Sequence, residues 1–271
     1  MQSGKVKRTQ LPGHPKAWLA ISLAWAAGFV DVASWLVLYH VYASHMSGNT
    51  ASFARELVQR KWNDAFHYGW VILPFVGGLL YSATATKAAR RRGFHSSFSI
   101  ALVTEIFLLG AFVALGSRYV DETQPKAPAG AMEFLLLSFP AAAMGVQTVT
   151  VTNVNGLRVY TTYLTGSLSK FSEAAVDHLF WLYDRTRGRF ISRFAKAIRV
   201  SLRRKSFQHA LLTAGLWVGF FLGASCGALA EPRFKLVSLA APMAVLVAAV
   251  IVDVVRPVAA ADELQAEHSA H

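Results

Sequence analysis

Long apolar runs alternate with short polar stretches along the chain, and this pattern predicts six membrane-spanning helices. The runs cover about residues 17–41, 66–87, 96–116, 131–154, 207–230 and 236–255. Each approaches the roughly 20 apolar residues that an α-helix needs to cross a hydrocarbon layer of about 30 Å. Pro74 and the Gly77-Gly78 pair are expected to bend the second helix, and residues 50–62 are expected to form a short amphipathic helix.

Two polar turns follow the first and fourth apolar runs, and they resemble each other. Residues 44–50 read Ser-His-Met-Ser-Gly-Asn-Thr, and residues 161–167 read Thr-Thr-Tyr-Leu-Thr-Gly-Ser. A further glycine, Gly28 or Gly145, precedes each turn inside the apolar run before it. Because the similarity recurs at matching places over a long stretch, it predicts two related halves.

The halves are residues 17–116 and 131–255, joined by a linker at 117–130 and flanked by tails at 1–16 and 256–271. Each half holds three predicted spans. Since three is an odd number, the second half is expected to be inverted relative to the first. The predicted fold class is therefore an all-α integral membrane protein made of two three-helix inverted repeats.

Composition and charge favour a membrane protein over a soluble one. The 271 residues are 54% hydrophobic and only 15% charged, whereas soluble proteins average about 25% charged residues. The net charge of +12 comes from basic residues between the apolar runs. Most of them fall on the cytoplasmic side if both termini lie in the cytoplasm, as the positive-inside rule requires. We therefore expect a multi-pass protein of the bacterial cytoplasmic (inner) membrane, with the lipid bilayer and not nucleic acid as its partner.

Residues 183–205 carry most of the clustered positive charge. Within them Ile191, Phe194, Ile198 and Leu202 recur at helical steps of three and four residues. An apolar stripe with a cationic opposite face predicts an amphipathic helix on the cytoplasmic surface, in contact with anionic lipid. The alternatives are an ordinary positive-inside loop and a nucleic-acid-binding arm.

The motifs of the two halves resemble those of a known family. Gly28-Phe29-Val30-Asp31 is followed by Ser47-Gly48-Asn49-Thr50, and Gly145-Val146-Gln147 is followed by Thr162 and Thr165-Gly166-Ser167. These pairs resemble the motifs of the YoaK family of bacterial multi-pass membrane proteins, over about residues 17–255. The chain departs from the family's usual threonine at Ser47 and its usual asparagine at Thr148. That family is a domain of unknown function, so the resemblance implies membrane topology and little chemistry.

Two acidic residues lie within predicted spans. A charged side chain inside a membrane costs free energy, so it is expected to face the bundle interior and to have a partner. Asp31, near the centre of the first span, is the main candidate for coupling to a proton or cation, and the alternative is a carboxylate bonded to an opposing helix end. Glu105 is a second coupling candidate, with a protonated acid making one interhelical hydrogen bond as the alternative.

The polar turns supply the predicted binding residues. In the first half, Ser47, Gly48, Asn49 and Thr50 stand at a predicted helix start, where they either bind a ligand or cap the helix. The matching lining from the second half consists of Gln147, Asn153, Thr162, Thr165 and Gly166. No two histidines stand four residues apart and the chain has one cysteine, so we expect no metal, cofactor or intramolecular disulfide.

Glycines recur every fourth residue in the fifth predicted span, at Gly215, Gly219, Gly223 and Gly227. We call these four residues the glycine ridge. Small residues at this spacing allow two helix backbones to approach closely, and Gly28 with its small neighbours is a second such face. The ridge serves either packing within the chain or a homodimer.

Three functions are compatible with these features. The leading interpretation is a secondary transporter or permease for a small polar solute, proton-coupled through Asp31. The alternative is a non-transporting scaffold or regulator that assembles through the glycine ridge. An intramembrane enzyme is disfavoured, because neither polar turn has a His or Lys placed to activate a hydroxyl. We therefore expect a protein that is not an enzyme.

Overall fold

The computed structural model is helical over most of the chain that it describes. The described residues are 15–38, 40–92, 97–119, 130–150, 153–154, 157–158, 160–186 and 204–255. The helices in chain order are α1 (Pro15–Val37), α2 (Met46–Val58), α3 (Trp62–Trp70), α4 (Ile72–Arg91), α5 (Ser97–Tyr119), α6 (Ala131–Thr148), α7 (Leu164–Thr186), α8 (Lys205–Phe234) and α9 (Ala240–Val255). A 3₁₀ helix, Lys235–Leu239, joins α8 to α9, and a short antiparallel hairpin pairs β1 (Asn153–Val154) with β2 (Leu157–Arg158).

Five helical segments among the described residues are long and apolar enough to cross a membrane. They are Lys16–Val37, Trp62–Ala89, Phe98–Arg118, Ala131–Thr148 and Lys205–Val255. The last segment is 51 residues long and contains α8, the 3₁₀ helix and α9. The sequence pattern divides this segment into two spans, 207–230 and 236–255, and the 3₁₀ helix begins at Lys235, just before the second of them. The protein is therefore a helical, multi-pass membrane protein.

The glycine ridge of α8 packs against α1. A Cβ added at Gly219 would lie 2.9 Å from the Ile21 carbonyl oxygen, and one added at Gly223 would overlap the Trp25 carbonyl. A Cβ added at Gly28 would in turn overlap the Phe220 carbonyl. Because the contacts advance in the same direction along both helices, α1 and α8 run parallel with their backbones touching.

Helices α4 and α6 repeat this arrangement with the two halves exchanged. A Cβ added at Gly78 would overlap the Ala142 carbonyl, and one added at Gly145 would overlap the Phe75 carbonyl. Toward the start of α6, Trp70 Nε1 donates a hydrogen bond of 3.0 Å to the Phe134 carbonyl oxygen. The two helices therefore run parallel as well. In each half, the first helix packs on a spanning helix of the other half.

Helices α5 and α9 complete the bundle. Ser99 donates from its backbone N–H and from Oγ to Asp253 Oδ2, at 3.1 and 2.8 Å. Farther along, a Cβ added at Gly110 would lie 3.5 Å from the Met243 side chain. These contacts make α5 and α9 antiparallel, and they give the carboxylate of Asp253, which is buried, two donors.

The second predicted span is broken earlier than expected. Pro74 and the Gly77-Gly78 pair lie inside α4, and the chain is interrupted at Val71, between α3 and α4. Pro74 is the third residue of α4, where a helix has no intrahelical partner for a backbone N–H and proline is tolerated. The break therefore stands three residues before Pro74, one of the residues expected to bend this span, and the two glycines lie inside α4.

Both predicted polar turns are helical only in their later residues, from Met46 and from Leu164, whereas residues 44–45 and 161–163 are not helical. Helix α2 begins at Met46, so residues 47–50 form its first turn, and α7 begins at Leu164, so Thr165 and Gly166 lie in its first turn. The predicted start at residue 50 was wrong, and α7 was not predicted. Ser, Thr, Asn and Gly have low propensity in helix interiors but are tolerated in a first turn. Most of the predicted amphipathic helix 183–205, the linker and both tails lie outside the described residues.

Candidate functional site

The Asp31 carboxylate is the centre of the first polar cluster, which also contains Ser44 and His45. The Asp31 side chain is 1% exposed, and its Oδ1 accepts a hydrogen bond of 2.7 Å from the Ser44 backbone N–H. Its Oδ2 lies 2.5 Å from His45 Nδ1, an ion pair when the imidazole is protonated. Both carboxylate oxygens are therefore satisfied by the segment that follows α1.

The chain after α1 folds back to make these contacts. Helix α1 ends at Val37, four residues before the predicted end of the first span, and His40 adopts a left-handed backbone with φ of 57°. This turn returns residues 41–45 to the end of the helix. Asp31 consequently lies in the last third of α1 and not near the centre of a span, and its partners belong to a loop and not to an opposing helix.

Three features set the protonation equilibrium of His45, which lies outside the spanning segments. Burial, the largest of them, lowers the pKa of the imidazole, but the hydrogen bond to Asp31 and the charge of Asp31 together raise it more, so the net pKa is raised. A positive charge on His45 is thus favoured in the folded protein. The pair couples the loop at the end of α1 to pH.

We expect this pair to make stability depend on pH in a definite direction. A raised folded-state pKa contributes stability that is fully present below the ordinary value of 6.5 and is lost as the pH rises through the folded-state pKa. The melting temperature in detergent should therefore fall as the pH rises above 6.5. His45→Asn, which keeps a donor near the Nδ1 position but does not titrate, should show a flatter profile. Equal slopes for the two proteins would contradict the assignment.

The cluster does not form a nucleophilic triad. Ser44 Oγ lies 3.2 Å from His45 Nδ1, so a histidine does stand beside a hydroxyl, which the sequence-based argument against an enzyme overlooked. Asp31, however, contacts the same nitrogen. A triad requires the two imidazole nitrogens to serve the hydroxyl and the carboxylate separately. The arrangement therefore holds the loop in place and does not activate Ser44.

Asn49 closes the loop from the start of α2. It is fully buried, its Nδ2 donates to the Tyr42 carbonyl oxygen at 2.7 Å, and its Oδ1 accepts from the Tyr42 N–H at 3.3 Å. Its neighbours Ser47, Gly48 and Thr50 are exposed. The residue at the helix N-cap is His45, which makes no side-chain capping bond, so the four predicted residues do not cap α2.

Replacing Asn49 by Ala should destabilise the protein by about 1–3 kcal/mol, because two backbone groups of Tyr42 lose their partners. Ser47→Ala is the matched control, since that side chain is exposed in the same helical turn. Thermal unfolding of the two variants beside the wild type checks this expectation. A loss of stability in Ser47→Ala equal to that in Asn49→Ala would contradict it.

The second half carries a corresponding polar pair. Thr148 Oγ1 donates to the Met144 carbonyl oxygen and lies 2.7 Å from Thr162 Oγ1, so the Thr162 hydroxyl donates to Thr148. Asp31 and Thr148 stand three residues after Gly28 and Gly145, and in both pairs the partner follows 14 residues later. The two halves thus place a polar contact at the same position, ionic in one and neutral in the other.

Gln147 connects the second half to the first. It is fully buried, and its Nε2 donates a hydrogen bond of 2.5 Å to the Leu23 carbonyl oxygen on α1. Its Oε1 is buried without a hydrogen-bond partner among the described residues. Leu23 and Asp31 are eight residues apart, about 12 Å along the helix axis. The interior of the bundle therefore holds polar groups from both halves at two levels of α1.

The remaining predicted residues lie at the edge of this region. A Cβ added at Gly166 would overlap the Tyr163 ring, so this glycine is held against an aromatic side chain. Thr165 is exposed in the first turn of α7. Asn153 belongs to β1, and its side chain lies outside the described residues. Glu105 is fully buried on α5, and neither of its oxygens takes part in the hydrogen-bonded clusters.

Sequence reasoning missed the ion pair between His67 and Glu133. Both residues are 8% exposed, and the pair joins α3 to α6 across the two halves. His67 also borders a cavity of about 290 Å³ whose other lining residues are His40, Glu56, Asp64 and Tyr68. The two partners are 66 residues apart, so only an acidic residue at the start of an apolar run could have hinted at the pair.

Fold and site together define a multi-pass helical membrane protein whose two halves bring polar groups into the bundle. The chain belongs to the family described as "Protein of unknown function (DUF1275)", whose model matches residues 19–252. It is similar to the UPF0700 transmembrane protein YoaK of Bacillus subtilis (strain 168), with 25% identity over 212 residues, 78% of this chain and 82% of that protein. The resemblance to the YoaK family is thereby confirmed. No solved structure matches the chain.

Proposed function

We propose that the protein is a secondary transporter or permease for a small polar solute, built as two inverted three-helix repeats in the bacterial cytoplasmic membrane. Both termini would lie in the cytoplasm, as the distribution of Lys and Arg favours. Inverted repeats with polar groups at the repeat interface are the architecture of many secondary transporters.

The observation that carries this proposal is the reciprocal packing of the halves. The first helix of each half, α1 or α6, packs through a glycine on a spanning helix of the other half. In its last third, each first helix also makes a polar contact to a residue 14 positions later. An interface in which two similar units exchange helices can rock about a central site, which is the motion that alternating access requires.

The difference between the halves suggests how proton coupling enters. One polar contact is the ion pair of Asp31 and His45, and the other is the hydroxyl contact of Thr148 and Thr162. Loss of the His45 proton would weaken only the first contact. The loop at the end of α1 would then be released at high pH, while Gln147 and the threonines bind the solute through neutral hydrogen bonds.

The competing interpretations have less support. A scaffold that dimerises through the glycine ridge needs that ridge to be available, but it is occupied by α1 within the same chain. We propose no catalytic role, since Ser44 and Asp31 share one imidazole nitrogen. Binding of anionic lipid by residues 183–205 stays part of the proposal, as a surface contact separate from transport.

The inverted topology can be tested with single cysteines at corresponding positions. Ser47 and Thr165 are both exposed in the first turns of α2 and α7. In a Cys226→Ser background, a membrane-impermeant thiol reagent should label Ser47→Cys in intact cells and Thr165→Cys only after permeabilisation. Labelling of both cysteines from the same side would contradict the inverted repeat.

Transport itself is tested with a library of small polar solutes. A solute that raises the melting temperature of the purified protein is identified as a ligand. At a concentration one hundred times its Kd, a ligand stabilises the folded protein by about 2.7 kcal/mol. Counterflow of that solute into proteoliposomes should then be observed, with an altered pH profile in His45→Asn. No stabilisation and no counterflow by any solute across about pH 5 to 8 would reject the proposal.

A further inference from the structure

Glu105 is a buried carboxyl group to which no other residue in the described part of the chain donates a hydrogen bond. It lies on α5 inside the span Phe98–Arg118, its exposure is 0%, and both Oε1 and Oε2 are without partners. It shares its helix face with apolar side chains that are also fully buried: Ala101, Leu102, Leu109 and Phe112.

Three other buried carboxylates in the described part of the chain each have a hydrogen-bond or ion-pair partner. Asp31 is bonded to Ser44 and His45. Asp253 accepts from Ser99, and Glu133 is paired with His67. These three show that the fold can supply donors where it buries a negative charge. Glu105 has no such donors, so its charge state must differ from that of the other three.

No cation whose side chain the structure describes compensates Glu105. Helices α4, α6, α9 and the 3₁₀ helix pack against α5. Their titratable and charged residues are Tyr81, Lys87, Arg90 and Arg91 on α4, Glu133 on α6, Asp253 on α9 and Lys235 on the 3₁₀ helix. Tyr81, Glu133 and Asp253 are bonded elsewhere, and Lys87, Arg91 and Lys235 are exposed. The side chain of Arg90 lies outside the described part of the chain. An isolated carboxylate in such surroundings is strongly disfavoured.

Polar oxygens without partners recur on the helix beside Glu105. Tyr81 and Thr104 are joined by a hydrogen bond of 2.9 Å, which sets α4 and α5 side by side at this level. Ser82, next to Tyr81 in sequence, is 0% exposed, and its Oγ has no partner among the described residues. One turn farther along α4, the Oγ1 of Thr86 is also buried without a hydrogen-bond partner among the described residues. A carboxyl group and two hydroxyls on adjacent helices can relay a proton once the helices separate.

We propose that Glu105 is a proton-binding site, which holds a proton as a neutral carboxylic acid in the closed bundle and exchanges it through the hydroxyls of α4 when the bundle opens. The ligand is the proton itself. Proton binding follows from the burial of Glu105 alone, whereas its exchange during transport rests on the proposed function. Asp31 then acts with His45 at the end of α1, and the proton that crosses the membrane is carried by Glu105.

The apolar reagent dicyclohexylcarbodiimide tests proton binding directly. A protonated carboxyl group adds across one C=N bond of the reagent, and the adduct rearranges to a stable N-acylurea. No atom leaves, so the peptide gains the whole mass of the reagent. The expected result is modification of the peptide that contains Glu105 in native membranes, located by mass spectrometry. A water-soluble carbodiimide should not modify it.

Variants and ions distinguish the outcomes. Modification should be lost in Glu105→Gln and retained in Asp31→Asn and Glu105→Asp. An unmodified Glu105 in folded wild-type protein would overturn the proposal, and so would protection by Na⁺ at constant pH, which would make an alkali cation the ligand. Mapping in the wild type decides the question even if Glu105→Gln does not fold. Modified Glu105 in a protein that shows no counterflow would keep the proton site and reject the transporter.

Discussion

Replacing Asp31 by Ala is expected to destabilise the protein by about 3 kcal/mol, the lower end of the roughly 3–5 kcal/mol for breaking a buried ion pair. The substitution leaves the Ser44 N–H and the His45 imidazole without their acceptor, and Ser44 is buried. The lower end applies because the His45 side chain is 34% exposed, so water compensates part of the loss. Thermal unfolding in detergent, followed by tryptophan fluorescence, measures the effect.

Asp31→Asn is the matched control for this prediction. Its Oδ1 still accepts from Ser44, and its amide can donate to the unprotonated Nδ1 of His45, so most of the stability should remain. The dependence of stability on pH above 6.5 should nevertheless disappear, because the charge that raises the pKa of His45 is gone. Two results would show that the pair does not hold the loop. One is an Asp31→Ala protein that is as stable as the wild type, and the other is an Asp31→Asn protein whose stability has an unchanged dependence on pH.

Replacing Gly223 by Ala is expected to prevent most of the protein from folding. The added Cβ overlaps the backbone of Trp25, and no rotamer change can relieve a backbone clash. Overpacking costs about 1–3 kcal/mol where side chains can shift, and more where they cannot. The loss should appear as aggregation in size-exclusion chromatography and as a lower melting temperature. Gly78→Ala, which overlaps the Ala142 carbonyl at the second interface, should behave alike.

Gly77 provides the control one residue away from Gly78. A Cβ at Gly77 meets no atom within 4 Å, so Gly77→Ala removes a glycine from a helix without adding a contact. It should be neutral or stabilising by up to about 1 kcal/mol, the difference in helix propensity. If Gly77→Ala and Gly78→Ala were equally harmful, conformational freedom and not close packing would explain these glycines.

The residues predicted from the sequence to bind a solute fall into groups with different structural roles. Asp31 and Asn49 are buried and hold the loop after α1, whereas Ser47, Gly48 and Thr50 are exposed in the first turn of α2. Gln147 and Thr148 face the interior from α6. The solute site that we propose therefore depends more on the second half than the motif of the first half suggests.

The sequence by itself determined that this is a multi-pass helical membrane protein with two similar motifs. Hydrophobic length and charge distribution are local quantities, because a span needs only enough consecutive apolar residues. The approximate ends of α1, α5 and α8 followed in the same way. The start of α2 and the existence of α7 did not, because hydroxyl-rich segments read as turns unless their packing is known. The position of the break at Val71 was also not predicted, because Pro74 and the Gly77-Gly78 pair, which were expected to bend the span, lie after it.

Tertiary structure alone decided which residues meet. The spacing of the glycine ridge predicted a packing face, but only the fold shows that α1 occupies it. The partner of Asp31 is His45, 14 residues later, across a loop whose reversal depends on the left-handed backbone of His40. Glu105 looks like Asp31 in the sequence, since both are acidic residues in apolar runs. Their environments differ because the chain returns to one of them with donors and leaves the other among apolar side chains.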